Sequence, residues 1–527
     1  MDTAPSINTG HPRRWLILGV LVVSLLVVVL DTTVLNVALR IIADPQRGLG
    51  ATQSQLEWAT NSYTLVFAGL LFTWGVLGDR LGRKKILLLG LFLFGIASAA
   101  SAYAHTPAQL IGARALMGIG GAAIMPATLA IISNVFDPRE RAKAIGTWAG
   151  AVGLGIAIGP VVGGLLLEHF WWGSVFLLNV PFVLAGLIAV LALVPDSRDP
   201  QPGRIDIAGV LLSIAGLTLL VYGIIAGGEH GFGRPLSWGT LGGGLALLVA
   251  FVLVERRVKF PSLDVSLFRN PRFSAAVGSI GLVFFAAMGT FFFMAFYFQL
   301  VRGYSPLKSG ILTTPFAVAQ LVFAPRSAAM VRRYGPKAVC AVGLGLVIIG
   351  LGGFFLVDAN TSVWVLAGLF FVQGAGMANV MPPATESIMS TLPREKAGVG
   401  SAVSNTVRQV AAALGIAVLG SVLAAVYRSG IHDKVTALPA NARSAASESI
   451  SGAYAAAEHL GNAGQGLIGT ANTSFIDAMH AAALGSVVMA LVGLVVVLVW
   501  LPRRAVVLPP HPAPVETLGE QLELAEA

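Results

Sequence analysis

Few side chains in this sequence could do chemistry at depth, and they stand out because their neighbours cannot. In LLVVVLDTTVLNVALR (25–40) a single carboxylate, Asp31, interrupts a run that carries no charge from Trp15 to Leu30. A charged side chain at bilayer depth costs roughly 2.5–3.5 kcal/mol on insertion scales, so it turns toward a bundle interior or a water-filled space. A carboxyl so placed can bind and release a proton, or hold a cation; its bland reading is a structural ion pair. Helical spacing puts Thr32 and Asn36 on one face with Asp31 beside it, a polar stripe turned away from lipid. Arg114, in ARALMGIGGAAIMPA, lies at a compatible depth and is a candidate ion-pair partner for Asp31. The alternative for Arg114 is a long side chain snorkelling to the interface.

A second candidate group lies later in the chain. Glu386 follows Pro382 and Pro383, which disrupt a helix and open backbone groups that could line a cavity. Arg408, with Asn405 three residues before it, has a similar depth and is a plausible partner for Glu386. The Phe-rich stretch VFFAAMGTFFFMAFYFQ (283–299), with Phe292 and Tyr297, could wall a cavity for cations or serve as packing bulk.

Other chemistries find no support. No His/Cys cluster has metal-ligand spacing, no nucleophile–base pair is visible, and no Walker loop appears. An enzyme is therefore not expected, no cofactor is called for, and ATP is not the direct energy source. GIGGAA (118–123) nearly matches a dinucleotide fingerprint, but it falls inside a membrane helix and not between a strand and a helix. Cys340 is the only cysteine and lies in an apolar run, which assigns it to packing.

The elements that must position these groups are membrane helices. The 527-residue chain is 56% hydrophobic and 11% charged, against about 25% charged in soluble domains. Fourteen apolar stretches read as spans, near 15–41, 54–77, 86–104, 107–135, 143–167, 174–194, 207–227, 238–255, 273–300, 309–331, 337–356, 363–391, 398–427 and 475–501. The first is longer than a signal-peptide core and reads as a retained helix. Lys and Arg concentrate in alternate loops, which places both termini in the cytoplasm of a cell inner or plasma membrane. That asymmetry explains the net charge of +9 without a nucleic-acid partner.

GDRLGRKK after the second span has a thinner echo, VRRYGPKAV (331–339), after the tenth. The echo implies two parallel six-helix halves with two helices inserted between them. The expected fold is all-α and polytopic: a six-helix bundle over 1–195, an inserted pair with linkers over 196–270, a second bundle over 271–501 including an extracytoplasmic loop at 428–474, and a tail at 502–527.

Two glycine patterns bear on how such helices move. In GVLGDRLGRKK (75–85), Gly78 and Gly82 permit a tight turn, and Asp79 can pair with a nearby Arg80 or Arg83. In AGAVGLGIAIGPVVGGLLL (149–167), Gly155, Gly159 and Gly163 recur every four residues, with Pro160 and Gly164 beside them. That spacing makes a groove that admits another backbone, and Pro160 kinks the helix.

These motifs resemble a known family. LDTTVLNVALR is similar to the first-helix motif of the fourteen-helix drug:proton antiporters of the major facilitator superfamily. GVLGDRLGRKK resembles the superfamily loop motif, RALMGIGGAAIMPA its helix-4 motif, and GLGIAIGPVVGGLL its helix-5 antiporter motif. FWWGSVFLLNVPF (170–182) and NTVRQVAAALGIAVLG (405–420) look like subfamily signatures. The resemblance implies a proton-coupled exporter of amphipathic, cationic or aromatic drugs, working by alternating access as a monomer among membrane lipids. It implies that Asp31 is the proton or substrate acid, that Arg114 assists proton transfer, and that Glu386 is a second membrane acid. Asp79 and Arg83 would latch one side, and the helix-5 glycines with Pro160 would form a hinge and seal. The first-helix motif usually ends in Pro, whereas Arg40 stands here. Export of one endogenous metabolite or lipid is the nearest alternative; a non-transporting sensor or scaffold has no need of titratable groups at depth.

Overall fold

The computed structural model describes residues 11–198, 206–230, 234–258, 265–391, 397–458 and 462–502, with Pro261, Leu263 and Leu460. Among them every regular element is helical. In chain order these are α1 (Arg14–Ala43), α2 (Gln53–Leu81), α3 (Arg83–Ala102), α4 (Pro107–Val135), α5 (Pro138–His169), α6 (Ser174–Leu177) and α7 (Asn179–Leu193). Then come α8 (Ile207–His230), α9 (Pro235–Glu255), α10 (Pro271–Phe296), α11 (Pro306–Tyr334), α12 (Pro336–Gly352), α13 (Val363–Ser390) and α14 (Ala397–His432). Two short helices, α15 (Ala440–Glu448) and α16 (Ile450–Glu458), precede the last, α17 (Asn462–Trp500). The described part of 428–474 is largely helical, and α17 begins well before the expected 475.

Local sequence sets the helix starts. Thr52, Thr106 and Ser305 accept from the backbone N–H of Gln55, Gln109 and Lys308 respectively, and Thr52 N–H in turn donates to Gln55 Oε1. Proline opens α4, α9, α10, α11 and α12, where its missing N–H costs nothing. A break at Leu178 divides α6 from α7, and a π turn at Tyr297–Val301 ends α10.

Twelve helices or continuous helix pairs among the described residues are long and apolar enough to cross a bilayer; the bent α2 would make thirteen. The apolar part of α5 is shorter, Leu154–His169. The chain is a multi-pass membrane protein, and fourteen crossings stay an expectation for α5.

Packing repeats between the halves. α2 packs on α4, α3 on α4, α1 on α5, α1 on α7 and α3 on α7. In the same pattern α11 packs on α13, α12 on α13, α10 on α14, α10 on α17 and α12 on α17. This is the arrangement expected of two parallel six-helix bundles. They meet through α5 against α11 and α2 against α14. The α2–α3 turn and both ends of the described chain share one face, here called the basic face. The starts of α2 and α11, with α15 and α16, lie at the opposite face.

Candidate functional site

Asp31 and Arg114 are drawn together in the first half. Arg114 Nη1 donates to Asp31 Oδ2, and each side chain is 1% exposed. α1 supplies the acid and α4 the base. Arg114 is fixed from three further directions: Nε donates to Ala59 O of α2 at 3.1 Å, Nη1 approaches Met117 Sδ at 3.8 Å, and the guanidinium lies 4.5 Å from the Tyr63 ring centre. Arg114 therefore does not snorkel.

The other oxygen of the acid has a partner that sequence reasoning did not name. Asn179 Nδ2, at the first turn of α7, donates to Asp31 Oδ1 at 3.3 Å and to Ser98 Oγ of α3 at 3.0 Å. Ser98 Oγ donates onward to Phe176 O at 2.8 Å. Because the Ser98 proton points to Phe176, its lone pairs face Asn179 and hold the amide with its N–H toward Asp31. Asn179 lies in FLLNVPF, and the helix break at Leu178 aims it inward. Asn179 and Ser98 are both buried. The sequence signal was a lone amide in an apolar run, which the cost of burying an unpaired polar group marks for a partner. Tyr63, whose hydroxyl is buried without a hydrogen bond, completes the cluster.

Thr32 and Asn36 do not join this cluster. Both are half-buried, and their side chains bond back along α1, Thr32 to Val29 O and Asn36 to Thr32 O. Only Asp31 turns into the bundle of α1, α3, α4 and α7; its two neighbours lie on a different face.

The helix-5 glycines form a contact surface with two partners. A Cβ on Gly155 would lie 2.8 Å from Val29 Cγ1, and one on Gly163 2.8 Å from Val34 Cγ1; Gly159 receives Thr33. This groove therefore holds α1, the helix that carries Asp31. Gly164 faces the other half: a Cβ there would lie 2.7 Å from Leu307 N of α11. Gly310 of α11 similarly accommodates the Pro160 carbonyl. The backbones of the two halves touch here, toward the opposite face.

At the basic face, Gly82 has φ +110°, a conformation that favours glycine, and it turns α2 into α3. Arg83 holds Asp79 at 2.9 Å and donates to Ala130 O of α4 at 3.3 Å. Gly78 is buried and Arg80 exposed. Among the described residues the pair joins α2 to α3 and α4 within one half.

The second candidate group is not assembled. Glu386 is exposed near the basic end of α13, while Arg408 bonds Asn405 and sits 5.4 Å from the Phe284 ring. Phe292 and Tyr297 are 1% and 0% exposed, so they are core and not cavity wall. Phe292 packs on Phe296, and Tyr297 donates to Asp358 O at 2.6 Å. Both serve as packing bulk in this structure.

Arg40 finds its setting at the opposite face. It lines a cavity of about 490 Å³ with Asp44, Gln46, Leu300, Tyr454 and Glu458. α16 roofs that cavity, and Gln46 Nε2 donates to Glu458 Oε2 across it at 3.0 Å. A Pro in place of Arg40 would remove a charge from the cavity wall.

Known proteins share both sequence and fold with this chain. A model of the Major Facilitator Superfamily matches residues 21–416. The multidrug efflux pump LfrA of Mycolicibacterium smegmatis is 36% identical over 461 residues, covering 87% of this chain and 90% of that protein. The methyl viologen resistance protein SmvA of Salmonella typhimurium is 33% identical, covering 90% of this chain and 95% of its own. The tetracenomycin C resistance and export protein of Streptomyces glaucescens is 34% identical over 80% of this chain and 78% of its own. Among solved structures, a bacterial homologue of the human lysosomal transporter Spinster superposes with a TM-score of 0.67 at 18% identity, covering 95% of this chain and 99% of that one.

Proposed function

The chain belongs to the major facilitator superfamily, and we propose that it exports amphipathic drugs, cationic or aromatic in character, in exchange for protons by alternating access. The names of its relatives, which include a multidrug efflux pump and a methyl viologen resistance protein, support the export of drugs. The observation that carries the proton is the buried Asp31–Arg114 pair with Asn179.

Asp31 is the primary proton carrier in this reading. Ionised, it is held by Arg114 and Asn179, and it fixes α1 against α4 and α7. Protonated, it no longer balances Arg114, so the attraction joining α1 to α4 weakens. α1 lies in the glycine groove of α5, and α5 also touches α11, so a change at Asp31 can reach the contact between the halves through one packed chain. Proton and drug each bias the two states only through their differential affinity for them. The basic face is the cytoplasmic one by the positive-inside rule. The protein works as a monomer in the cytoplasmic membrane, with no cofactor and the proton gradient as its energy source.

The test is transport by purified protein in proteoliposomes of ethidium and methyl viologen under an imposed pH gradient. Uptake into inside-acidic vesicles that a protonophore abolishes is expected. Transport that ignores the gradient would end the antiport reading, and no transport of either cation would end the proposed substrate class.

A further inference from the structure

The inserted helices α8 and α9 have no task in the scheme above. α8 lies across the seam where α2 of one half meets α14 of the other. Leu65 of α2, Leu217, Val221 and Ile225 of α8, and Ala413 and Ala417 of α14 form a small apolar core apart from the main one.

α8 is held differently on its two sides. Toward α14, Ser421 Oγ donates to Ile224 O at 3.1 Å and Arg428 Nη1 donates to Gly228 O at 3.3 Å. Gly228 permits a backbone approach so close that a Cβ there would lie 2.7 Å from Ser421 Cα. Toward α2 the contacts along the middle of α8 are ring and aliphatic side-chain contacts. The Trp58 and Tyr222 rings lie 6.3 Å apart, and Gly69 admits Ile214, whose Cδ1 would be 2.9 Å from an added Cβ. In lipid, apolar side chains exchange one apolar neighbour for another at little cost, whereas a polar group that loses its partner finds no water to replace it.

Opening the opposite face requires α2 to leave α14, because Glu57 of α2 packs against Gly420 there. α8 cannot then keep both partners. We infer that the α8–α9 hairpin is a strap that travels with the C-terminal half, parts from α2 as the exporter opens, and covers the widening seam against lipid. α9 braces it from outside: a Cβ on Gly244 would lie 2.6 Å from Leu220 N, and one on Gly223 2.9 Å from Leu241 N. The inference rests on the alternating-access reading above.

Two cysteine pairs separate the sides of the strap, in a Cys340→Ala background that removes the only native thiol. Gly69→Cys with Ile214→Cys bridges α2 to α8, where an added Cβ at 69 would lie 3.6 Å from Ile214 Cβ. Ile224→Cys with Ser421→Cys is placed to join α8 to α14 where Ser421 Oγ meets Ile224 O at 3.1 Å, and its bridging is scored only where the cross-link is seen to form. Both are closed with one short bis-methanethiosulfonate, and ethidium efflux is measured before bridging, after it, and after reduction. The α2–α8 bridge is expected to slow efflux by about tenfold or more, reversibly, while the α8–α14 bridge leaves it within about twofold. Equal effects, the reverse order, or full bridging of α2 to α8 without loss would overturn the strap. Efflux before bridging shows independently whether ethidium is carried. If it is not, that failure belongs to the substrate reading, and spin labels decide the strap in its place. The Trp238–Ser429 distance is expected to stay fixed between acidic and alkaline media while Gln55–Trp238 changes; the opposite pattern would overturn the inference.

Discussion

Arg114 on α4 and Asp31 on α1 form an ion pair in which each side chain is 1% exposed, inside one half of a membrane protein. Neither charge has water to fall back on. Removing one partner of a buried pair leaves the other uncompensated, at a typical cost of about 3–5 kcal/mol. Asp31→Asn is therefore expected to abolish gradient-driven efflux and also to lower the unfolding temperature. Asp31→Asn with Arg114→Gln should recover much of that stability without recovering transport. Thermal unfolding in detergent beside efflux in proteoliposomes checks both arms. Wild-type efflux in the single variant would remove Asp31 from the proton path.

Asn179→Leu should lower efflux with a smaller loss of stability. The amide donates to Asp31 and Ser98 at once. Losing it leaves both acceptors short of a donor, which costs on the order of 1–3 kcal/mol. Ser98→Ala should be milder, because Asn179 keeps its bond to Asp31. Efflux rates ranked wild type, Ser98→Ala, Asn179→Leu are the expected result, and the reverse ranking of the variants would show that the Ser98–Phe176 bond carries the effect instead.

Gly164→Val tests the contact between the halves. A side chain there meets the backbone of Leu307 and Pro306, which cannot rotate away. Overpacking of this kind costs about 1–3 kcal/mol, and here the cost falls on the state in which the halves touch. Efflux should drop sharply, and a thiol reagent confined to the side of the opposite face should label Arg40→Cys faster than in the parent. Gly19→Val, where nothing lies within 4 Å of an added Cβ, is the control expected to be silent.

The sequence made the long apolar helices, the Asp31–Arg114 pairing and the glycine groove legible because each rests on local pattern: a run of apolar residues, a charge at depth, a four-residue repeat. What it left out depends on which way a side chain faces after packing. Asn36 shares a helix with Asp31 and turns elsewhere, whereas Asn179, 148 positions away, turns toward it. Phe292 and Tyr297 looked like cavity wall because aromatic residues in a row suit either role, and only burial separates core from lining. Whether 428–474 is helical is not legible in the sequence, because Ala, Ser and Gly give a weak apolar pattern; the structure forms α15 and α16 there.

Glu386 sets the sharpest contrast with Asp31. Both are acids in helices read as spans, yet Asp31 is buried against an arginine while Glu386 is exposed at the basic end of α13. An exposed side chain is not part of the packing that holds the halves together, so changing its charge disturbs that packing little. Neutralising it with Glu386→Gln should therefore leave at least about half of the ethidium efflux and no loss of stability beyond the ±0.5 kcal/mol usual for surface changes. Because its charge can still meet a cation entering from the basic face, the residual effect should appear in the apparent KM rather than in kcat. A variant that abolished efflux at saturating dye would make Glu386 a proton carrier, and Asp31 would then share that role.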